Sequence, residues 1–407
     1  MKNENRALLE KYGQTHLLQF YDKLEEDGKD ALEKQIEELD WGLFSCLNND
    51  NTPSGKGKIE PLGALCVDEI EKRKEEYTAA GLEAIRTGKV AALLLAGGQG
   101  TRLGYAGPKG TFNIGVNRKL YIFEQLIRNT LDVVEQAGAW VPFFIMTSEK
   151  NHEETMAFLK EHNYFGYNSE YIFFFKQSMA PSLDYDKRLL METKDRLVFS
   201  PNGNGGWFSS FMKAGMLKKA KELGVEWLNA FAVDNVLQRI ADPCFVGAVL
   251  KHGCVSGAKV VRKADPEERV GVLCLEDGKP SIIEYYEMTK EMSYAKDKNG
   301  EYLYNFGVIL NYLFRMDKLE QIAEQKMPVH VVEKKISYID PDGTAHMPAE
   351  PNGYKFETLI LDMVHMMDNC LSYEVVRESE FAPVKNKEGV DSIDTARELL
   401  KANGVRL

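Results

Sequence analysis

The chain has 407 residues, more than a single hydrophobic core usually organises, so two or three subdomains are expected. Its 51 basic and 62 acidic residues give a net charge of −11, which argues against a nucleic acid or an anionic membrane as the main partner. Six scattered cysteines without a CxxC pair, no signal-peptide core and no apolar run of about 20 residues predict a reduced, cytoplasmic protein that does not cross a membrane.

Residues 1–86 are predicted to form an N-terminal helical subdomain. Apolar residues recur at helical spacing between Leu17 and Trp41. Residues 49–58 are polar and contain Gly and Pro, which predicts a loop. Residues 67–86 are predicted to form a charged helix.

From Lys89 the pattern changes to alternating strands and helices. Apolar runs bounded by turn signals predict strands at 90–96, 141–147, 170–175 and 226–233. Amphipathic stretches between them predict helices at 121–138, 151–162 and 208–223. This alternation is typical of an α/β protein with a twisted, mostly parallel sheet and helices on both faces, whose ligands lie at the carboxyl ends of the strands.

After about residue 250 the pattern is richer in strands. Strands are predicted at 257–261, 271–275, 281–285 and 303–310, and helices at 313–325 and 356–368. The last predicted elements are a strand at 371–376 and a helix at 392–403. The main domain is therefore predicted to span residues 87–370, followed by a short C-terminal segment at 371–407.

The segment that follows the first predicted strand combines glycines with cations. Gly97, Gly98 and Gly100 come directly after that strand, and Arg102 and Lys109 lie on the same loop. Glycines at such a place let the backbone approach a ligand and offer N–H groups to an anion, so a phosphate-rich ligand is expected. A plain β–α turn remains the alternative. No P-loop sequence occurs, and the dinucleotide fingerprint G-x-G-x-x-G fails by one position.

Polar residues beside apolar strands are the other candidates. Asp234 closes a buried strand at its carboxyl end, where a carboxylate suits Mg²⁺ together with substrate phosphates. A helix N-cap or a turn is the alternative role for this acid. The glycine-rich stretch at 202–206 predicts either a surface turn or a second backbone cradle. Four further polar residues adjoin apolar strands, and an ordinary satisfied side chain is the alternative for each of them: Gln177, Glu284, Asn305 and Lys385.

Eight short motifs follow one another along the chain: LLLAGGQGTRLG, PKG, NGNGG, AVDN, VGV, IIEYYE, YNFG and PVKN. In this order they resemble the eukaryotic-type UDP-sugar pyrophosphorylases, and most of all the UDP-N-acetylglucosamine (UDP-N-acetylhexosamine) branch of that family. The resemblance implies a Rossmann-like, GT-A-like nucleotidyltransferase core with a mixed, mostly parallel sheet. It also implies that UTP and a sugar 1-phosphate are joined with release of pyrophosphate, with Mg²⁺ as the cofactor.

The resemblance further implies which residues bind the nucleotide. Gly97 and Gly98 would contact the uridine through their backbone, and Gln177 matches a uracil-reading glutamine. Gly203 and Asn204 match a pair that contacts the base and the sugar. The complete implied nucleotide set is Gly97, Gly98, Gly100, Thr101, Gln177, Gly203 and Asn204.

A second implied group concerns the phosphates, the metal and the hexose. Arg102 and Lys109 would hold the triphosphate. Lys385 matches a phosphate-binding lysine, and Asp234 would bind Mg²⁺. Glu284 matches a residue that accepts hydrogen bonds from sugar hydroxyls. The implied sugar set is Gly271, Glu284, Asn305 and Lys355.

Two departures from the family pattern concern the sugar and the assembly. Where the family has Asn-Ala-Gly-Asn beside the N-acetyl group, this chain has Asn305, Phe306, Gly307 and Val308, which changes the expected acyl-group contacts. The sequence stops at Leu407, soon after the PVKN motif. The lack of a large C-terminal lobe favours a monomer.

The favoured activity is uridylyl transfer from UTP to N-acetylglucosamine 1-phosphate, by in-line attack of the sugar phosphate on the α-phosphorus. Glucose 1-phosphate, or several sugar phosphates, is the alternative substrate. A NAD(P)-dependent oxidoreductase is disfavoured by the displaced third glycine and by the Arg102 and Lys109 pair. A non-catalytic UDP-sugar sensor is disfavoured because Lys109, Asp234 and Lys385 are all retained.

Overall fold

The structure, a computed structural model, describes residues 1–47, 57–325 and 327–407, so the predicted loop at 49–58 lies outside the described residues except for its last two positions. The helices, in chain order, are α1 (Asn3–Lys11), α2 (Glu26–Glu38), α3 (Val67–Lys72), α4 (Lys74–Arg86), α5 (Ile122–Ala137), α6 (His152–Glu161), α7 (Trp207–Lys213), α8 (Met216–Glu222), α9 (Pro243–Lys251), α10 (Lys290–Tyr294), α11 (Met316–Glu324), α12 (Ile360–His365), α13 (Arg377–Glu380) and α14 (Ile393–Ala402).

The strands, in chain order, are β1 (Ile59–Pro61), β2 (Val90–Leu95), β3 (Phe143–Thr147), β4 (Ile172–Lys176), β5 (Met179–Pro181), β6 (Leu183–Asp184), β7 (Met191–Thr193), β8 (Arg196–Leu197), β9 (Phe199–Pro201), β10 (Trp227–Ala232), β11 (Ser256–Arg262), β12 (Val272–Glu276), β13 (Lys279–Ile283), β14 (Phe306–Arg315), β15 (His330–Lys334), β16 (Tyr338–Ile339), β17 (Ala345–His346), β18 (Gly353–Glu357) and β19 (Leu371–Glu374).

The chain divides into two compact units. The first unit combines the described parts of Met1–Gly55, Ser178–Gly206 and Met327–Ile360. The second unit combines those of Lys56–Gln177, Trp207–Lys326 and Leu361–Leu407. This grouping differs from the expected boundaries at residues 86 and 370, because two later stretches of chain join the N-terminal helices.

A ten-stranded mixed sheet organises the second unit. Strands β10, β2, β3 and β4 are neighbours in that order and run parallel to one another. Strand β14 pairs antiparallel with β10, and also with β11 and β12. This mixed sheet with a parallel core confirms the predicted α/β fold class.

The parallel strands form because their residues are apolar almost without interruption. All residues of β2 and β3 are buried, as expected when helices cover both faces of a parallel sheet. Helix α5 places Ile122, Leu126 and Val133, all fully buried, in the same apolar cluster as these strands. Since β2 and β10 are parallel neighbours, their carboxyl ends lie at the same edge of the sheet.

The first unit has a core of its own beneath the N-terminal helices. Leu9, Leu32 and Ile36 are completely buried and belong to one apolar cluster with Leu183 and Phe356. The last two residues lie on β6 and β18, which are adjacent strands of a three-stranded sheet. The N-terminal helices therefore obtain their apolar partners from strands that are distant in sequence, which explains why this unit contains three stretches of chain.

Two predicted helices begin later than expected. The predicted helix at 313–325 begins at Met316, because the preceding apolar residues extend β14 and pair with β10. The predicted helix at 356–368 is shorter in the structure. Phe356 lies in β18, and the helix begins only at Ile360.

All six cysteines are free thiols, and three of them are buried. Within the described part of the chain, no helix combines the length and the apolarity that crossing a membrane requires.

Candidate active site

The loop that follows β2 folds back on itself. The Lys109 N–H donates to the Gly98 carbonyl at 3.1 Å, which joins the two ends of the loop, and Gly100 is buried within it. Thr101 and Arg102 are exposed, whereas Lys109 is only 8% exposed. The two cations of the loop therefore have different surroundings, one solvated and one enclosed.

Asn151 supports this loop, although its sequence context did not identify it as a site residue. Its side-chain oxygen accepts from the Ser148 N–H at 2.8 Å, and its side-chain nitrogen donates to the Ala96 carbonyl at 2.9 Å. The signal available was an Asn just before α6, which predicts an ordinary N-cap. The side chain makes no cap hydrogen bond and instead joins the ends of β2 and β3.

Gly97 and Gln177, both predicted to contact the base, lie side by side. A Cβ atom added to Gly97 would come within 3.0 Å of Gln177 Oε1. Gln177 follows β4, is buried, and donates its backbone N–H to the Thr147 carbonyl at 2.7 Å. A Cβ atom added to Gly98 would have no atom within 4 Å, so the backbone is open to a ligand at this position.

The residues predicted for the triphosphate and the metal also meet. Lys109 Nζ lies 3.7 Å from Asp234 Oδ2, and the two side chains are 10% and 23% exposed. Burial lowers the pKa of Lys109 below its ordinary value, and the positive charges of Arg102 and Lys385 act in the same direction. The Asp234 carboxylate opposes this shift. The three cations of this region outnumber its two carboxylates, Asp234 and the Asp391 that lies beside Lys385, and the net positive charge suits a polyphosphate.

Lys385 lies in the loop before α14 and already has an acidic partner. Its Nζ is 3.0 Å from Asp391 Oδ2, and its backbone N–H donates to the Asp391 carbonyl at 2.7 Å. The Lys385 side chain is 38% exposed, so a ligand phosphate can reach it. Such a phosphate would compete with Asp391 for the ammonium group.

The donor atoms near Asp234 decide which metal this region could hold. Among the residues that the structure describes, no three or more His, Cys, Asp or Glu side chains are grouped as a metal site. Asp234 can supply one carboxylate. This donor set fits Mg²⁺, which takes one or two carboxylates and completes its shell with substrate phosphates and water. A structural zinc ion would need four protein ligands and does not fit.

Two predicted sugar-binding residues, Gly271 and Glu284, lie close together, and a third, Asn305, lies on the same stretch of chain as Val308 beside them. A Cβ atom added to Gly271 would lie 3.5 Å from Glu284 Oε1 and 3.5 Å from Val308 Cγ2. The Val308 N–H donates to the Gly271 carbonyl at 2.9 Å, which places the start of β14 beside this pair. Asn305 directly precedes β14 and is buried, and its carbonyl accepts the Lys263 N–H at 2.9 Å.

Phe306 stands where the family pattern has alanine, and it has a structural partner. Its ring centroid lies 5.2 Å from the guanidinium carbon of Arg262, within the range of a cation–π contact. Arg262 Nε in turn donates to Glu374 at 2.7 Å. The larger side chain is therefore packed on β11.

The remaining candidates, Gly203, Asn204 and Lys355, belong to the first unit. Asn204 Oδ1 accepts the Ile360 N–H at 3.0 Å. Gly203 has a φ of +83°, and a Cβ atom there would lie 2.3 Å from the Thr358 carbonyl oxygen, so glycine is required by the backbone itself. These contacts are with the segment that follows β18, the strand that carries Lys355. The first unit thus brings Gly203 and Asn204 to the end of the strand that carries Lys355.

A sequence profile for the family described as UTP–glucose-1-phosphate uridylyltransferase matches residues 37–398. The chain belongs to this uridylyltransferase family. The match includes every candidate residue named above, from Gly97 to Lys385. Family membership confirms the resemblance that the ordered motifs indicated.

Individual relatives within the uridylyltransferase family cover most of the chain. UDP-N-acetylhexosamine pyrophosphorylase-like protein 1 of Mus musculus is 35% identical over an alignment of 429 residues, which covers 98% of this chain and 84% of the mouse protein. UDP-N-acetylglucosamine pyrophosphorylase of Saccharomyces cerevisiae is 38% identical over 382 residues, covering 89% of this chain and 79% of the yeast protein. The crystal structure of uridine diphosphate N-acetylglucosamine pyrophosphorylase from Trypanosoma brucei, in complex with an inhibitor, matches with 27% identity and a TM-score of 0.83 over 99% of this chain and 85% of that one.

Proposed function

We propose that this protein transfers uridylate from UTP to N-acetylglucosamine 1-phosphate and releases pyrophosphate. The observation that carries the proposal is the position of Lys109, whose Nζ lies 3.7 Å from Asp234 Oδ2. Arg102 and Lys385 are also close enough for their positive charges to act on Lys109. The yeast and trypanosome relatives, named as UDP-N-acetylglucosamine pyrophosphorylases, support this choice of sugar.

The proposed chemistry needs charge stabilisation more than proton transfer. The phosphate oxygen of the sugar is already anionic at neutral pH, so no strong general base is required. This oxygen forms a bond to the α-phosphorus of UTP, the bond to the β-phosphate bridge breaks, and pyrophosphate leaves with the electron pair. Because both reactants are anions, Lys109, Arg102 and Lys385 would act by holding them together and by offsetting the charge that develops.

Asp234 is the residue that we propose to hold Mg²⁺. When bound there, the ion would supply positive charge to the phosphate oxygens of the nucleotide. The backbone of Gly97 and Gly98 and the buried Gln177 would orient the uracil. The roles of Gly100, Thr101, Gly203 and Asn204 in nucleotide binding rest on the resemblance alone.

The sugar side of the proposal concerns Gly271, Glu284 and Asn305, with Lys355 as a further candidate. Glu284 would accept hydrogen bonds from the ring hydroxyls. One observation keeps glucose 1-phosphate as a second candidate substrate. Val308, an apolar residue where the family pattern has Asn, lies against Gly271 and cannot donate a hydrogen bond to an acetamido group.

The decisive experiment is a pyrophosphate-release assay with UTP, Mg²⁺ and the 1-phosphates of glucose, galactose, N-acetylglucosamine and N-acetylgalactosamine. We expect N-acetylglucosamine 1-phosphate to give the highest kcat/KM. Equal or higher kcat/KM with glucose 1-phosphate would favour the second candidate. No release with any sugar would favour a UDP-sugar sensor, and a thermal shift with NADPH but not with UTP would favour an oxidoreductase.

We also propose that the protein is a cytoplasmic monomer. The six free thiols support a reducing compartment. Size-exclusion chromatography with light scattering should give a mass near the 46.1 kDa of one chain. A mass near twice that value would contradict the proposal.

A further inference from the structure

The two side chains proposed to act on the metal and on a phosphate come from stretches that are far apart in sequence. Asp234 lies two residues after the end of β10, and Lys385 lies between α13 and α14. The two stretches run antiparallel beside each other: Asn235 forms a β-bridge with Pro383, and the Val384 N–H donates to the Asp234 carbonyl at 2.8 Å. The backbone of one candidate residue is therefore hydrogen-bonded to the immediate neighbour of the other.

The Asn235 side chain makes the same connection a second time. Its nitrogen donates to the Glu380 carbonyl at 2.8 Å, and its oxygen accepts the Ala382 N–H at 2.9 Å. The same oxygen also accepts the Leu237 N–H at 3.4 Å, within its own loop. Asn235 is only 3% exposed, so water cannot readily replace these hydrogen bonds. Breaking them would leave buried polar atoms without partners, which costs free energy. One side chain thus spans the Asp234 loop and the Lys385 loop.

The far end of this connection is fixed by a buried ion cluster. Glu380 accepts hydrogen bonds from Lys259 Nζ at 2.6 Å and from the Arg239 N–H at 3.1 Å. Lys259 is completely buried, and its Nζ also binds Asp242 at 3.0 Å. Removing one member of a buried ion pair leaves an uncompensated charge, so such a cluster resists displacement. Asn235 therefore connects to a rigid part of the core.

The backbone around this cluster is unusual in two places. The register of β11 with β14 shifts between Ala258 and Val260, the neighbours of Lys259. Leu310 and Ala241 adopt left-handed φ values of +53° and +49°, which cost energy for residues other than glycine. Strained backbone of this kind persists where the surrounding structure enforces it.

We propose that Asn235 is a positioning residue, whose carboxamide sets the separation between the Asp234 carboxylate and the Lys385 ammonium group. In this role it would act without touching substrate or metal, since it is buried at 3% exposure. Its effect on the reaction passes through these two side chains, so the proposal rests on the proposed uridylyltransferase function. Misplacement of reacting groups by about 1 Å can cost on the order of 100-fold in rate.

The test compares Asn235→Ala with Asn229→Ala, a matched control. Asn229 is 1% exposed, lies on β10 and also makes three hydrogen bonds: to Asn311, to the Tyr312 carbonyl and from the Ala241 N–H. None of them reaches the Lys385 loop.

Both variants should lower the melting temperature. Asn235→Ala alone should lower kcat by about 10- to 100-fold at saturating substrates, and should raise the Mg²⁺ concentration needed for half-maximal turnover.

A double-mutant cycle separates positioning from general damage. In a Lys385→Met background, Asn235→Ala should reduce kcat by less than about 2-fold, because the separation between the carboxylate and the ammonium group no longer matters once that ammonium group is gone. The same loss in both backgrounds, or an equal loss of kcat for Asn229→Ala, would overturn the proposal while leaving the proposed function intact.

A binding arm covers failure of the proposed function itself. If the unmodified protein shows no turnover, calorimetric titration with magnesium tripolyphosphate replaces the assay. Asn235→Ala should then bind about 10-fold more weakly than the unmodified protein, and Asn229→Ala should bind equally well. Equal affinity of all three proteins would overturn the positioning role.

Discussion

Lys109 carries its charge in a place where the protein compensates it only in part. The side chain is 10% exposed, Asp234 lies at 3.7 Å, and Arg102 and Lys385 add further positive charge. A bound triphosphate would supply the missing negative charge and would restore the affinity of the lysine for its proton. The charges of the protein alone thus do not balance around Lys109, which suits a group that acts on polyanions.

The lowered pKa of Lys109 predicts a pH dependence. If turnover needs the protonated amine of Lys109, kcat/KM should decrease as the amine loses its proton at alkaline pH. The midpoint of this decrease should lie below about 10.4, the ordinary pKa of lysine. In Lys109→Arg the charge persists, so this alkaline fall should move to higher pH. The measurement is kcat/KM for UTP between pH 6 and about 10.5, within the range where the protein stays folded. An unchanged alkaline limb in the arginine variant would contradict this assignment.

The same shift predicts a trade between stability and activity. The pKa of Lys109 is lower in the folded protein than in the unfolded chain, so its protonation favours unfolding, and stability from this group rises with pH between the two values. At neutral pH, Lys109→Met should therefore leave the melting temperature equal or higher, while turnover falls by about 100-fold or more. Calorimetry and the pyrophosphate assay together check both parts, and a large loss of melting temperature would contradict the first.

Asp234 should be needed for the metal rather than for the fold. Asp234→Ala is expected to lower Mg²⁺-dependent turnover by about 100-fold, with little loss of stability, because its side chain is partly exposed. Asp394→Ala, which removes an exposed carboxylate on α14, is the control and should retain full turnover. Near-normal turnover of Asp234→Ala would show that the metal is held elsewhere.

At the level of elements, the contact between α4 and α9 depends on two glycines. A Cβ atom on Gly81 would lie 1.9 Å from the Pro243 carbonyl oxygen, and one on Gly247 would lie 1.7 Å from the Tyr77 carbonyl oxygen. Both distances require the helices to move apart. The two helices therefore touch backbone to backbone.

This contact predicts a large effect from a single methyl group. Gly81→Ala should lower the free energy of unfolding by roughly 3 kcal/mol, near the upper end of overpacking costs, even though alanine favours a helix. Urea denaturation provides the measurement. Glu83→Ala, at an exposed position of the same helix, should change stability by less than about 0.5 kcal/mol. A stabilised Gly81→Ala variant would contradict the close packing.

Sequence predicted the elements whose signal lies in consecutive residues. β2 is a continuous apolar run and β10 is apolar except for Asn229, and the glycine loop and Asp234 were located because they follow these runs. Phe356 was assigned to a helix because its strand partner, Val331, and its core partner, Leu32, are distant in sequence. The hydrogen bonds of Asn235 could not be predicted for the same reason.

At the level of the whole molecule, a net charge of −11 surrounds a positive site. Such a net charge disfavours non-specific binding of anions. Stabilisation of the protein against heat by a polyanion should therefore depend on the cations of the site, Arg102, Lys109 and Lys385. Tripolyphosphate should raise the melting temperature of the unmodified protein. The combined variant Arg102→Gln, Lys109→Met and Lys385→Met should lose this protection, whereas Lys401→Met on α14 should keep it. Equal protection of both variants would place the anion elsewhere.

The three-stretch composition of the first unit has a consequence for synthesis on the ribosome. Leu9 and Ile36 emerge early, yet their apolar cluster includes Phe356, which is translated much later. Until then the amphipathic N-terminal helices lack part of their final core, and such exposed apolar surface is what chaperones hold. Contacts that close over so long a stretch also form slowly. Although α1 and α2 are translated before Phe356, they are thus among the last elements to reach their final packing.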